Sequence, residues 1–310
     1  MQVFPRELIQ THCVGDEWPT FVGRVALGES FVVETVESGA NGPVEIAHAR
    51  AGDALAVHVE AIEMHPPFFA PNGGPFVDGA RQPLELRDGW FHWPRHFKLR
   101  AEPSVGSIAV LPEPTDEHLQ MSRWMEYGGR KWKNSRGWRR VVRDARGKHC
   151  HQDCRGLGVG AILHIKSNVD GAGLCAEDVH GYIGQGEMAF AAIEMNARVQ
   201  LRVERSAGWH VDWPLIETPD EIMVCSSYSF AYSHRPHLRY VDVVRQAYRS
   251  MCDVVAARVG GSFEDANTIV ATAVDIRNCA LYGLAGFVSD DKTHTDDLAV
   301  VAALPKSVFA

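Results

Sequence analysis

Regularly spaced apolar residues restrict the fold of this sequence more than any other feature. Over residues 53–64, DALAVHVEAIEM, Leu55, Val57 and Val59 recur at every second position. This is the period of a β-strand with one buried face. Further runs with strand character cover residues 30–37, 105–111, 159–166 and 197–204. The first two-thirds of the chain is therefore predicted to form strands joined by Gly- and Pro-rich turns.

Helical patterns occur only late in the sequence. Residues 237–259 place six apolar side chains near one helical face: Leu238, Val241, Ala247, Met251, Val254 and Val255. A Gly-Gly pair ends this helix. Ser262 then offers an N-cap, with Asp265 at the acidic position of a capping box, and predicts a second helix over 263–279. We therefore expect a β-rich α+β fold with a helical C-terminal part.

Composition narrows the class of protein. The 310 residues carry a net charge of -8, which argues against a general nucleic-acid binder. No apolar run approaches the ~20 residues of a membrane-spanning helix, and the first residues do not have the pattern of a signal peptide. Seven cysteines, an odd number without framework spacing, indicate a reducing compartment. We expect a cytoplasmic protein that binds neither nucleic acid nor membrane.

One segment is strongly basic, although the chain as a whole is acidic. Residues 123–148 contain ten Lys or Arg and two acidic residues, a net charge of +8, so the remaining residues sum to -16. Three tryptophans lie among the basic residues. This composition suits a solvated insertion or subunit contact, a lid over an anionic substrate, or a surface for single-stranded nucleic acid. We favour an insertion at about 120–148 within a single domain that spans residues 1–310.

Side chains that could bind a metal or take part in catalysis are concentrated between His149 and Glu194. The run HCHQDC (149–154) is followed about two dozen residues later by EDVHGYIGQGE (177–187). Both runs contain a histidine and an aspartate two positions apart, a spacing that places two side chains on one face of a strand. Two such pairs could supply four nitrogen and oxygen ligands to zinc. Glu187 is then a candidate general base.

Other interpretations of these residues stay open. A single His pair on a strand is more often a hydrogen-bonded surface feature than a metal site. Cys150 and Cys154 are four residues apart, which is not the Cys-x-x-Cys spacing of structural zinc. Cys150 next to a histidine could instead act as a thiolate nucleophile.

The same stretch resembles the acetamidase/formamidase family of amide hydrolases. That family carries, in order, a Gly-Gly-Asn-x-Asp segment, a Gly-led strand, a Gly-Asp-x-His element and Gln-Gly-Asp-Gly-Glu, with a Glu seven residues later. Here the corresponding runs are HCHQD (149–153), GAILHIK (160–166), EDVH (177–180), IGQGE (183–187) and Glu194. Segments 41–62, 105–112 and 301–309 also resemble family motifs, so the likeness covers most of the chain in order.

The resemblance implies an acetamidase/formamidase-like β-sandwich body and hydrolysis of a small amide to a carboxylate and ammonia or an amine. It also implies a bound divalent metal, often zinc, and a homo-oligomer of two or more copies. The residues carried over are Glu187 as the catalytic residue, His151, Asp153, Asp178 and His180 as metal ligands, and His149, Cys150 and Gln185 as substrate-binding residues.

The departures from the family pattern predict an altered substrate. His149, Cys150 and Glu177 stand where the family has glycines, and His151 replaces an asparagine. Larger side chains in place of glycine must change the pocket or its backbone. We therefore expect an amide larger than formamide or acetamide. The alternatives are a non-catalytic metal- or ligand-binding protein on the same fold, or an amidase that depends on Cys150.

Overall fold

The computed structural model describes residues 1–8, 20–36, 41–71, 81–111, 124–127, 130–133, 152–187, 191–229, 240–281 and 297–310. These residues form mostly strands, followed by two helices near the C-terminus. This confirms the predicted β-rich α+β class.

The strands of the described residues are β1 (Gln2–Phe4), β2 (Gly23–Val25), β3 (Ser30–Thr35), β4 (Asn41–Ile46), β5 (Ala54–Ala70), β6 (Gln82–Arg87), β7 (Trp90–His92), β8 (Lys98–Arg100), β9 (Ser104–Ala109), β10 (Trp124–Tyr127), β11 (Arg130–Lys133), β12 (Ile162–Lys166), β13 (Ala172–His180), β14 (Glu194–Arg205), β15 (Leu215–Glu217), β16 (Glu221–Ser229), β17 (Asp275–Leu281) and β18 (Asp297–Pro305). The helices are α1 (Tyr240–Val259) and α2 (Phe263–Ala273). Short 3₁₀ turns cover Arg6–Leu8, Pro94–His96 and Lys306–Phe309.

A single hydrogen-bonded network joins sixteen of these strands. Its main path runs β17-β18-β16-β15-β12-β5-β14-β13-β4-β2, with β3, β6 and β9 pairing onto it from the side. The long strands β5 and β14 pair antiparallel through the middle, and β9 lies antiparallel beside β13. This pairing brings the end of β13 and the start of β14 together, because His180 is in register with Glu194.

The predicted period-2 strands are present, and β5 is longer than predicted. Leu55, Val57 and Val59 are almost fully buried and belong to the main core between the strands. β5 continues beyond the predicted end, to Ala70, where it pairs with β6. The periodicity located the strand, whereas its length depends on a partner strand that the sequence pattern does not identify.

The helical hairpin packs on one side of the sheet over a second core that includes Leu215, Val224 and Val300. The predicted capping box is present, because the Ser262 hydroxyl accepts from the Asp265 N–H and the Asp265 carboxylate accepts from the Ser262 N–H. Val241, however, is 38% exposed. Leu238 lies outside the described residues.

The second helix is shorter than predicted. It ends at Ala273, and residues 275–281 form β17, which pairs antiparallel with β18. Val274 already has an extended backbone. Pairing along β18 therefore overrides the helical pattern predicted to extend to residue 279.

Within the basic segment, β10 and β11 form a two-stranded antiparallel ribbon. A single 1–310 domain with an insertion at about 120–148 stays a prediction. Neither described helix has the length and apolar character required to cross a lipid bilayer.

Candidate active site

Four acidic side chains gather around His180. Asp178 precedes it on β13, Glu194 lies opposite it on β14, Glu187 follows in the loop after β13, and Asp153 comes from the segment before β12. The His180 Nε2 atom lies 3.7 Å from Asp178 Oδ1, 3.9 Å from Glu187 Oε1 and 3.7 Å from Glu194 Oε1. These separations are longer than the 2.7–3.2 Å of a hydrogen bond.

The cluster is buried. His180 is 0% exposed, Asp153 1% and Glu187 6%, while the Asp178 side chain keeps 15% exposure. Burying several carboxylates together costs free energy unless a cation or donors compensate them. Such a concentration of acidic groups around one imidazole is therefore typical of a functional site rather than of a structural core.

Three of the carboxylates belong to residues whose backbone is strained. Asp153, Asp178 and Glu187 have φ values of 36°, 62° and 38°. Residues with a Cβ rarely adopt this left-handed region, and each such conformation costs roughly 1–3 kcal/mol unless the surroundings enforce it. Strain at three of the five cluster residues indicates that the fold places these carboxylates at the expense of local stability.

Gly106 on β9 forms one wall of the cluster. A Cβ atom at this position would lie 2.7 Å from Asp153 Oδ1 and 2.8 Å from His180 Cε1. No ordinary side chain can occupy that space without moving the two ligand candidates. The missing side chain therefore lets the strand approach the site closely.

Gln152 holds Asp153 in place. Its fully buried side-chain amide forms two hydrogen bonds with Ile108, accepting from the N–H at 2.8 Å and donating to the carbonyl at 3.0 Å. The backbone N–H groups of Gln152 and Asp153 both donate to the Gly106 carbonyl, at 3.0 and 2.9 Å. Four hydrogen bonds thus fasten this segment to β9 and restrain the backbone that carries the Asp153 side chain.

The loop after β13 is fixed at both ends. Gly181 N–H donates to the Ile193 carbonyl at 2.8 Å, and Glu187 N–H donates to the Gly184 carbonyl at 3.1 Å. Gly186 forms an isolated bridge with Ala280 of β17. Glu187 is therefore held by the sheet rather than by a free loop.

Glu194 differs from an ordinary surface carboxyl. Burial raises its pKa, and the Asp178 charge adds to this rise. The charges of His180 and Arg81 and the hydrogen bond from Ala192 N–H to Glu194 Oε1, 3.0 Å long, act in the opposite direction. The cluster therefore contains a carboxyl group whose protonated form is favoured by its surroundings.

The donor set fits a divalent metal. Two overlapping triplets, Asp153–Asp178–His180 and His180–Glu187–Glu194, each have one ligand atom per residue within 4.8 Å of the others. Imidazole nitrogen with carboxylate oxygen is a combination that zinc and similar ions accept. All three residues of the first triplet also pack against Gly106, where a Cβ atom would overlap them.

The structure brings four of the sequence-predicted residues together, namely Asp153, Asp178, His180 and Glu187. Gln185 is exposed in the loop before Glu187. His149, Cys150 and His151 lie outside the described residues. Sequence reasoning missed Gly106 and Gln152, and it noted Glu194 only from its spacing; the Gln within HCHQDC was a signal that could have drawn attention to Gln152.

Comparison with known proteins decides the family. The model of the Acetamidase/Formamidase family matches residues 83–257, more than half of the chain. The chain belongs to the acetamidase/formamidase family. No curated protein matches it in sequence. Membership supports amide hydrolysis as the general activity.

Solved structures share the fold. An acetamidase from Yersinia enterocolitica is 19% identical with a TM-score of 0.75, over 100% of this chain and 93% of its own. A predicted acetamidase/formamidase from Thermoanaerobacter tengcongensis is 18% identical with a TM-score of 0.73, over 96% and 93%. A gamma lactamase from Delftia acidovorans is 18% identical with a TM-score of 0.51, over 93% and 86%. At these identities the likeness concerns the fold.

Proposed function

We propose that this chain is a metal-dependent amide hydrolase that cleaves the C–N bond of an amide larger than formamide or acetamide, releasing a carboxylate and ammonia or an amine. The observation that supports the proposal is the buried cluster of Asp153, Asp178, His180, Glu187 and Glu194. The proposal includes zinc as the metal, a cytoplasmic location and a homo-oligomer of two or more copies.

Asp153, Asp178 and His180 would hold the metal, with His151 as a fourth predicted ligand. When bound, a divalent ion supplies Lewis acidity for the amide carbonyl and lowers the pKa of water. Gly106 keeps the wall of the site free of a side chain. Gln152 directs Asp153 toward it.

Glu187 is the proposed general base. It accepts a proton from the attacking water and delivers a proton to the departing nitrogen, because an amine leaves poorly unless it is protonated. Its burial and its tethered loop keep the carboxylate next to His180.

The larger substrate is supported by the departures from the family motif. Glu177, which stands at a family glycine, is buried on β13 with 3% exposure. It is in register with Ser107 of β9, the strand that also supplies Gly106. A buried side chain in place of glycine, next to Asp178 in the chain, changes the packing around the site.

The test is a panel of linear and cyclic amides, scored by ammonia or amine release, on wild-type protein and Glu187→Gln. We expect turnover of a larger amide to fall about 10²- to 10⁴-fold in the variant while bound metal is retained. Glu85→Gln is the matched control, because Glu85 is a 75% exposed side chain on β6. Full activity in Glu187→Gln contradicts the role of Glu187, and loss of metal there makes Glu187 a ligand. Formamide turnover equal to that of every larger amide contradicts the proposed substrate size.

A further inference from the structure

A second histidine, His164, lies between a serine and a glutamate in the structure. His164 of β12 has its Nδ1 atom 2.8 Å from Ser206 Oγ and its Nε2 atom 3.0 Å from Glu217 Oε2. These are hydrogen-bond distances on both ring nitrogens. A nucleophile, a base and a group that orients the base therefore stand in line, as nucleophilic catalysis requires.

The strand order explains why the three side chains meet. β12 pairs with β15, which ends at Glu217, and on its other side with β5. Ser206 follows β14, the next strand beyond β5, and its N–H donates to the Ala54 carbonyl at 2.8 Å. Ala56 of β5 is opposite His164 in register, so a small side chain leaves room for the imidazole to reach Ser206.

The hydrogen-bond partners fix the protonation of the ring. The Glu217 carboxylate also accepts from Lys306 Nζ at 2.7 Å and from Trp209 Nε1 at 2.8 Å. Although burial raises the pKa of Glu217, the hydrogen bonds from Lys306, Trp209 and His164 hold it below its ordinary value. A carboxylate can only accept, so Nε2 of His164 carries the proton and Nδ1 accepts from the Ser206 hydroxyl.

The exposure of the three residues matches their roles. His164 is 4% exposed, and burial lowers its pKa, which keeps the ring neutral and able to accept a proton. Ser206 is only half-buried and can meet a molecule from solvent. His164 is thus enclosed, while the serine residue keeps contact with solvent.

Trp209 lies beside His164 and Glu217. The Trp209 ring lies 6.4 Å from the His164 ring and 5.7 Å from the Phe309 ring, edge to face with the latter. The Arg258 guanidinium stands 4.8 Å from the centre of the Trp209 ring. These contacts hold Trp209, whose indole N–H donates to Glu217, in place beside the His164 ring.

We propose that Ser206, His164 and Glu217 form a second hydrolytic site, in which Ser206 accepts the acyl group of a small activated ester. The Ser206 oxygen forms a bond to the ester carbonyl carbon, and its proton passes to His164 Nδ1. The bond from that carbon to the leaving-group oxygen breaks, and the proton goes to that departing oxygen. Water then attacks the acyl-serine through the same base and releases the carboxylic acid.

The first test uses the whole unaltered protein, treated with EDTA so that the acidic cluster cannot contribute metal chemistry. A fluorophosphonate probe forms a serine–phosphorus bond with loss of fluoride, and intact mass and peptide mapping locate the adduct. We expect one adduct, on Ser206, and EDTA-resistant release of p-nitrophenol from p-nitrophenyl acetate. Absence of an adduct at Ser206 overturns the proposal without bearing on the amidase.

Variants separate an activated serine from an ordinary one. Ser206→Ala should lose the adduct, and His164→Gln should label about a hundredfold more slowly. Ser30→Ala should label at the wild-type rate, because the Ser30 hydroxyl bonds to Glu60 rather than to a histidine. Wild-type labelling rates in Ser206→Ala or in folded His164→Gln overturn the assignment. The wild-type adduct itself remains decisive if His164→Gln fails to fold.

Discussion

His164 and His180 are both buried on strands of the same sheet, yet their surroundings differ. His164 is hydrogen bonded at 2.8 and 3.0 Å to one hydroxyl and one carboxylate. His180 has three carboxylate oxygens at 3.7–3.9 Å, and a strained backbone carries two of the residues that supply them. His164 is therefore part of a hydrogen-bond network. The carboxylates near His180 are instead spaced like metal ligands around a common centre.

The difference also concerns charge. Around His164, the Glu217 carboxylate has the Lys306 ammonium as a partner at 2.7 Å. Around His180, four carboxylates surround one imidazole, and their ligand atoms lie within 4.8 Å of it in two overlapping triplets. This carboxylate-rich donor set suits a divalent cation, which is why we assign the metal to it and not to the His164 network.

The largest expected effect comes from filling the wall of the acidic cluster. Gly106→Ala puts a methyl group 2.7 Å from Asp153 Oδ1, so the ligand residues must move. We expect amide turnover to fall by at least about a hundredfold, as displacements near 1 Å do at active sites, together with loss of bound metal. Turnover assays with elemental analysis measure both.

Gly184→Ala is the matched control for this change. A Cβ at Gly184 meets nothing within 4 Å, and its φ lies outside the left-handed region. Its metal content and unfolding free energy should equal those of wild type. Wild-type metal content in Gly106→Ala would contradict the assignment of the metal to the His180 cluster rather than to the His164 network.

A smaller effect is expected at the His164 network. Glu217→Gln removes a carboxylate that accepts from three side chains, and should lower the unfolding free energy at pH 7 by about 2 kcal/mol. The pKa of Glu217 is held below its ordinary value of 4.5. The stabilisation is therefore present above pH 4.5 and is lost as pH falls through the folded-state pKa.

Denaturant unfolding of wild type and Glu217→Gln across pH 7 to 3.5 measures this dependence. The stability gap should narrow on the acid side, with the metal content of the variant unchanged at pH 7. A gap that stays constant down to pH 3.5 is incompatible with an ionised, three-fold hydrogen-bonded carboxylate.

The smallest effect concerns one donor of that network. Lys306→Met removes the ammonium from Glu217 but keeps an apolar stem, and the Lys306 side chain is 34% exposed. We expect a loss of about 1 kcal/mol in unfolding free energy and wild-type metal content. Loss of metal in this variant would mean that the two histidine clusters are energetically linked rather than separate.

Part of this architecture could be predicted from local sequence. The period-2 runs located β5 and β14, and Ser262 with Asp265 located the start of α2. The two-residue spacing of Asp178 and His180 predicted their proximity, although a regular strand was the assumed reason. The observed φ of 62° at Asp178 shows that an irregular backbone produces it.

The remaining features depend on strand register, which local patterns do not specify. Gly106 meets Asp153 and His180 only because β9 pairs with β13 in one particular alignment. Ser206 meets His164 across β5 for the same reason. Pairing with β18 likewise made residues 275–279, predicted as helix, part of strand β17.

The most direct test of the account is the metal content of freshly purified protein, measured by elemental analysis on wild type and Asp178→Ala in parallel. We predict near-stoichiometric zinc or another divalent metal in wild type and its loss in the variant, with both proteins folded. Folded wild-type protein without divalent metal, or Asp178→Ala with the full wild-type complement, would contradict the assignment of the His180 cluster as a metal centre.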